Sequence, residues 1–170
     1  KGAQHGVYVG QPVLDARGVV GQVVEALPYS SRVLLLTDTT HSIPIQVTRN
    51  GLRAIASGTG DPNLIELRYI TDVADIKEGD LLITSGMGER FPVGYPVAVV
   101  RNIVRGTGQP FATVQATPMA ALNLSRYFLL VFDEEFERSQ ASLRGEHVEQ
   151  PSELTLEDVE VETSVEEGEL

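Results

Sequence analysis

Turn-forming residues break this chain about every ten positions, which leaves little room for helix. They stand at Ala16-Arg17-Gly18, Pro28-Tyr29-Ser30-Ser31, Asn50-Gly51, Gly58-Thr59-Gly60-Asp61-Pro62, Glu78-Gly79-Asp80 and Gly106-Thr107-Gly108-Gln109-Pro110. Between them lie short apolar segments of two kinds. Ile43, Ile45 and Val47 alternate with Pro44, Gln46 and Thr48; Ile65, Leu67 and Tyr69 alternate with Glu66 and Arg68; Ala112, Val114 and Ala116 alternate with Thr113, Gln115 and Thr117. A period of two puts one set on a buried sheet face and the other toward solvent. The runs Val33–Leu36, Leu81–Ile83, Val97–Val100 and Phe128–Phe132 are apolar throughout and suit strands covered on both sides. The fold class expected is all-β: two small β-barrel or sandwich subdomains with minimal helix. The one helical candidate is a turn or two over Pro118–Ser125, opened by its proline.

The subdomains are expected over residues 1–62 and 63–132, with an acidic, largely disordered tail over 133–170. The last strand, Tyr127–Phe132, either closes the second subdomain or returns to the first. Gly58–Pro62 (GTGDP) echoes Gly106–Pro110 (GTGQP), and Gly18–Val23 loosely echoes Phe91–Val97; these pairs are compatible with duplication and with chance recurrence of a turn.

The formal net charge of -11 is unevenly placed. Residues 1–132 carry 10 acids against 11 Lys and Arg, whereas 133–170 carry 14 acids against 2 Arg. A near-neutral body without a basic stripe argues against a nucleic-acid partner. The tail has too little apolar surface to offset its ordering entropy, beyond a brief helix over Asp133–Leu143. The absence of cysteine excludes disulfides and thiol chemistry.

Three candidate chemistries fail on the residues. Ile83–Pro96 (ITSGMGERFPVGYP) has the look of a phosphate loop, yet no lysine lies near Gly86, and Phe91-Pro92 stands where a dinucleotide fingerprint needs its third glycine. The loop reads instead as a turn: Gly86 and Gly88 permit positive φ, Gly94 helps shape the turn, and Pro92 and Pro96 stiffen the exit. His41 and Ser85 suggest a degenerate double-barrel hydrolase, but Ser85 lacks the Gly-Asp-Ser-Gly-Gly surroundings whose backbone amides build an oxyanion hole. His5, His41 and His147 lack metal-ligand spacing. No catalytic residue, metal or cofactor is assigned. A glycan-binding β-module is a third possibility and would need an exposed aromatic platform.

Four stretches, in order, carry a family resemblance: Gly18–Val24 (GVVGQVV), Ser31–Asp38 (SRVLLLTD) with Ser42–Val47 (SIPIQV), Glu78–Gly88 (EGDLLITSGMG), and Phe91–Val97 (FPVGYPV). Over about residues 6–132 the chain resembles MreC, the bacterial rod shape-determining family. The resemblance implies a non-enzymatic scaffold of the cell-wall elongation machinery that organises peptidoglycan synthases, periplasmic and anchored in the inner membrane by a segment absent from this chain. Implied partners are the elongation-specific class B penicillin-binding protein, MreD, RodA and MreB, with self-association into dimers or filaments. A scaffold works through exposed side chains, and Tyr8, Tyr29, Arg90, Phe91 and Tyr95 are the candidate partner contacts.

Overall fold

The turn-and-run pattern resolves into ten strands and one 3₁₀ turn (Ala3–His5) in this computed structural model, which describes residues 1–88, 90–106 and 110–132. Strands β1 (Pro12–Leu14), β2 (Val19–Ala26), β3 (Ser31–Leu35) and β10 (Leu129–Leu130) form an antiparallel sheet ordered β10-β1-β2-β3. Strands β4 (Ser42–Val47), β5 (Arg53–Gly58), β6 (Ile65–Thr71), β7 (Leu81–Thr84), β8 (Pro96–Val104) and β9 (Phe111–Pro118) close into a barrel ordered β4-β5-β6-β9-β8-β7. The barrel consists of two meanders, β4-β5-β6 and β7-β8-β9. One seam pairs β6 with β9, and the other pairs β4 with β7 through Ile45↔Thr84 and Val47↔Leu82. Closure leaves no free edge for another strand to join.

Alternation places the barrel core. Ile43, Ile45 and Val47 of β4 point inward beside Ala56 of β5 and Leu82 of β7, and share the core with Ile65, Val97, Val100, Val114 and Ala116 of the other strands. The small alanines match a narrow six-stranded lumen that larger side chains would overfill. β6 departs from the expected pattern. Ile65 and Leu67 are buried, but the register shifts before Ile70, which takes the next inward place. The extra residue is a β-bulge, and it turns Tyr69 outward at φ 61°.

The apolar runs divide by position. Val97, Ala98 and Val100 are buried in the closed barrel. β3 and β10 are edge strands of the open sheet, so Leu35 and Leu129 stay exposed despite their apolar neighbours. The sheet-to-barrel change comes between Leu35 and Ser42, so residues 1–62 supply strands to both. Residue 62 falls between β5 and β6, inside the barrel. The chain's last strand returns to β1, through Val13↔Leu130 and Leu14↔Leu129. Pro118–Ser125 makes no helix. Pro118 ends β9, and a single turn closes with the Leu124 and Ser125 amides donating to the Ala121 carbonyl. The expected helix over Asp133–Leu143 and the acidic tail lie outside the described residues.

A buried carboxylate joins the sheet to the connector leaving the barrel. Asp15 Oδ1 accepts from the amides of Arg17 (2.8 Å) and Gly18 (2.9 Å), and its Oδ2 accepts from the Ala121 amide and the Ser125 hydroxyl, both at 2.7 Å. Gly18 allows this approach: a Cβ there would lie 2.5 Å from the Pro96 carbonyl oxygen. Burial pushes the Asp15 carboxyl up, but the Ser125 hydroxyl and the Arg17, Ala121 and Gly18 amides outweigh it and hold it below the usual carboxylate range.

Candidate partner-binding surface

The β7–β8 loop builds one end of the barrel from the stretch that first resembled a phosphate cradle. Gly86, Gly88 and Gly94 adopt φ of 75°, 77° and 98°, as their turn role requires. At Gly86 a side chain would also collide with Val93 Cγ2. The loop closes on Thr84: its hydroxyl donates to the Pro92 carbonyl and accepts from the Tyr95 amide at 2.9 Å, while its own amide donates to the Tyr95 carbonyl at 2.9 Å. The Gly94 amide donates to the Thr84 carbonyl at 3.0 Å, and the Ser85 amide to the Pro44 carbonyl of β4 at 3.2 Å.

That closure moves Phe91 inside. Its ring is 3% exposed and meets His41 edge-on, with centroids 6.3 Å apart at 88°. Phe91 is therefore a plug at the barrel mouth rather than an exposed anchor, because its apolar area is best removed from water beside the barrel core. Tyr95 is half-buried against the same core. Tyr8 is half-buried on the sheet side, where its amide donates to Gln11 Oε1 at 3.4 Å and Gln11 Nε2 in turn donates to the Val131 carbonyl at 3.1 Å. Tyr29, in the β2–β3 turn, and Arg90, in the loop, are exposed.

His41 and Ser85 are not joined. Both ring nitrogens of His41 are buried without a hydrogen-bond partner, and Ser85 Oγ accepts from the Met87 amide at 3.4 Å. Burial pushes the His41 imidazole below its ordinary pKa; Asp38 opposes that and Arg90 adds to it. A neutral, desolvated imidazole without contact to a nucleophile has no route to general-base catalysis here. Among the described residues no group of three or more His, Cys, Asp or Glu is arranged to hold a metal.

The acids near the turns are structural. Asp38 Oδ1 caps its own turn, accepting from the Thr40 amide (2.8 Å) and hydroxyl (2.6 Å). Asp80 receives Arg49 Nε and Nη2, both at 2.9 Å, and the Lys77 amide at 2.9 Å, tying the β4–β5 turn to the β6–β7 connection. Asp75 takes the other side of the same guanidinium at 2.7 Å.

Two exposed groups were not legible beforehand. Tyr69 and Phe111 form an edge-to-face pair on the outer wall of the barrel, centroids 6.1 Å apart, and are 71% and 47% exposed. Tyr127, Phe128, Leu129 and Phe132 are exposed around the edge strand β10. For Tyr69 the signal points the wrong way, because strict alternation puts it inside.

An antiparallel sheet joined to a closed six-stranded barrel, with its aromatics partly turned outward, defines a β-rich interaction module. Residues 1–132 match the family model described as rod shape-determining protein MreC, barrel core. The Cell shape-determining protein MreC of Haemophilus influenzae is 52% identical over 132 residues, which cover 78% of this chain and 38% of that protein. The crystal structure of MreC from Pseudomonas aeruginosa superposes with a TM-score of 0.75 at 68% identity, covering 78% of this chain and 85% of that one. A complex between Penicillin-Binding Protein (PBP2) and MreC from Helicobacter pylori contains the same fold, with a TM-score of 0.57 at 18% identity over 70% of this chain and 74% of that one. The chain belongs to the MreC family and spans 38% of the Haemophilus relative's length.

Proposed function

We propose that this chain is the barrel-bearing part of a non-enzymatic scaffold that organises peptidoglycan synthases during cell-wall elongation and so controls rod shape. The observation that carries the reading is the family match over the whole described body, 1–132. It is joined by a barrel mouth in which His41 and Ser85 serve packing and turn formation rather than each other. The nearest argument for a partner is the Helicobacter complex, which supports an elongation penicillin-binding protein as the first ligand to test. MreD, RodA, MreB and self-association belong to the same reading as further partners. So do a periplasmic location and an inner-membrane anchor supplied by sequence beyond this chain. Among the described residues no helix is long and apolar enough to cross a membrane. In this reading the sheet and the barrel are the two structural units of the scaffold.

The test is complementation. Cells depleted of their native family member are given this chain behind a membrane anchor and coiled coil. Restored rod shape together with co-purification of the elongation penicillin-binding protein is the expected result. Round cells, with no co-purification from a stably expressed fusion, would remove the reading.

A further inference from the structure

The strained aromatic pair at the β6 bulge asks for a purpose. A tyrosine at φ 61° occupies a backbone region that bulky residues avoid. The strain sets the ring against Phe111, on an outer wall where neither side chain contributes to the barrel core. Cross-strand register places arginines around the pair. Arg68 lies opposite Ile55, and Arg53 sits two residues along β5 on the same exposed face, within diagonal reach. Beyond the far end of β8, Arg105 Nη2 donates to the Ala74 carbonyl at 3.2 Å, and Ala74 is tied by its amide to Thr71, the residue paired with Phe111. Among the described residues none of the three guanidiniums is in an ion pair. Two acids share the region: half-buried Glu66 faces Gln115 further along β6, and Asp72 has Oδ1 buried.

We infer that this outer barrel wall, centred on Tyr69 and Phe111 and edged by Arg53, Arg68 and Arg105, is a protein-docking face for a partner that offers aliphatic side chains flanked by carboxylates. The inference rests on the scaffold reading and assigns that reading's penicillin-binding partner to this face. Tyrosine and arginine are the residue types that dominate interface hot spots. Unpaired guanidiniums around an apolar centre complement carboxylates at a rim and would fix the partner's register. The closed barrel has no free strand edge here, so recognition runs through side chains rather than strand addition.

The backbone supplies a clean variant. Glycine adopts φ near 61° freely, so Tyr69→Gly removes the ring while relieving the strain. The purified 170-residue chain and its variants are titrated against the periplasmic region of the cognate elongation penicillin-binding protein by biolayer interferometry. Wild type is expected to bind at micromolar levels. Tyr69→Gly and Phe111→Thr should each weaken binding about tenfold or more, with the Tyr69→Gly unfolding midpoint equal to or above wild type. Arg68→Glu should weaken binding and flatten its salt dependence, and Tyr29→Ser should change nothing. Wild-type binding that survives Tyr69→Gly and Phe111→Thr overturns the docking face while leaving the scaffold reading in place. No binding by wild type removes the penicillin-binding partner and this assignment with it. If Tyr69→Gly instead dissociates an oligomer, or abolishes binding to purified glycan strands, with partner affinity unchanged, the face belongs to a second copy or to a glycan and the proposal falls.

Discussion

Replacing Asp15 by alanine should be among the most damaging single changes outside the apolar core. The carboxylate is 7% exposed and accepts four hydrogen bonds, from Arg17, Gly18, Ala121 and Ser125. Alanine leaves the Gly18 and Ala121 amides without an acceptor, and a buried donor left unsatisfied costs about 1–3 kcal/mol. The Ser125 hydroxyl and Arg17 amide can turn to water and add little. The expected loss is therefore about 3 kcal/mol, or roughly a 9 °C fall in melting temperature for a chain of this size. Asparagine separates the two halves of the site. Its amide oxygen still serves Arg17 and Gly18, while its NH₂ faces the Ala121 donor, so Asp15→Asn should lose about half as much. The sign with pH is definite. The folded carboxyl lies below its ordinary value of 3.8, so its contribution is complete above that value and is lost as pH falls through the folded one. Urea unfolding at pH 7 and below pH 4 measures both effects, and the gap between wild type and Asp15→Asn should narrow in acid. A loss within about 0.5 kcal/mol for Asp15→Ala at pH 7 would refute the view that this carboxylate holds sheet and connector together.

The other predictions concern the barrel. His41, buried neutral with both ring nitrogens unpaired, keeps its folded pKa below the ordinary 6.5. Below pH 6.5 the unfolded chain takes up a proton that the folded chain refuses, so stability should drop on acidification until the folded value is reached. His41→Phe should remove that slope without lowering stability at pH 8; urea midpoints from pH 8 to 5 report it. Asp80→Ala strands the Lys77 amide and unpairs a guanidinium, and should cost about 2 kcal/mol in urea unfolding. Asp75→Ala, at the exposed side of the same arginine, should cost less and matter less in high salt. Gly86→Ala should destabilise more than Gly88→Ala. Both hold left-handed φ near 76°, at 75° and 77°, but only the first meets Val93, and paired urea titrations decide the order.

What was readable in the chain follows from how local each signal is. Alternation at Ile43–Val47 and Ala112–Ala116 marks the inward faces because each side chain answers only to its own pleat. Glycine turns at 86, 88 and 94 are equally local, since φ > 0 is a property of one residue. The misplacements all needed a distant partner. Phe91 reads as an exposed aromatic until His41, fifty residues earlier, is brought against its edge. Tyr69 reads as core until β9 pairs with β6 across a shifted register. The allocation of β4 and β5 needs the same kind of distant information, since they look like continuations of β3 until β7 closes onto β4. The turn echo had more content than its short length suggested. Gly58–Pro62 leads in sequence from β5 to β6, the second and third strands of one meander, and Gly106–Pro110 lies in sequence between β8 and β9, the second and third strands of the other, so the two stretches hold the same place in the strand order. The looser echo has no such equivalence, since Gly18–Val23 runs into β2 of the sheet while Phe91–Val97 leads into β8. A repeated turn is thus informative only once the strands it joins are known to pair alike. That is why the first echo fits a repeated strand order and the second does not: Gly18 and Gly21 sit at close backbone approaches, whereas Gly94 has open space around it and serves a left-handed turn.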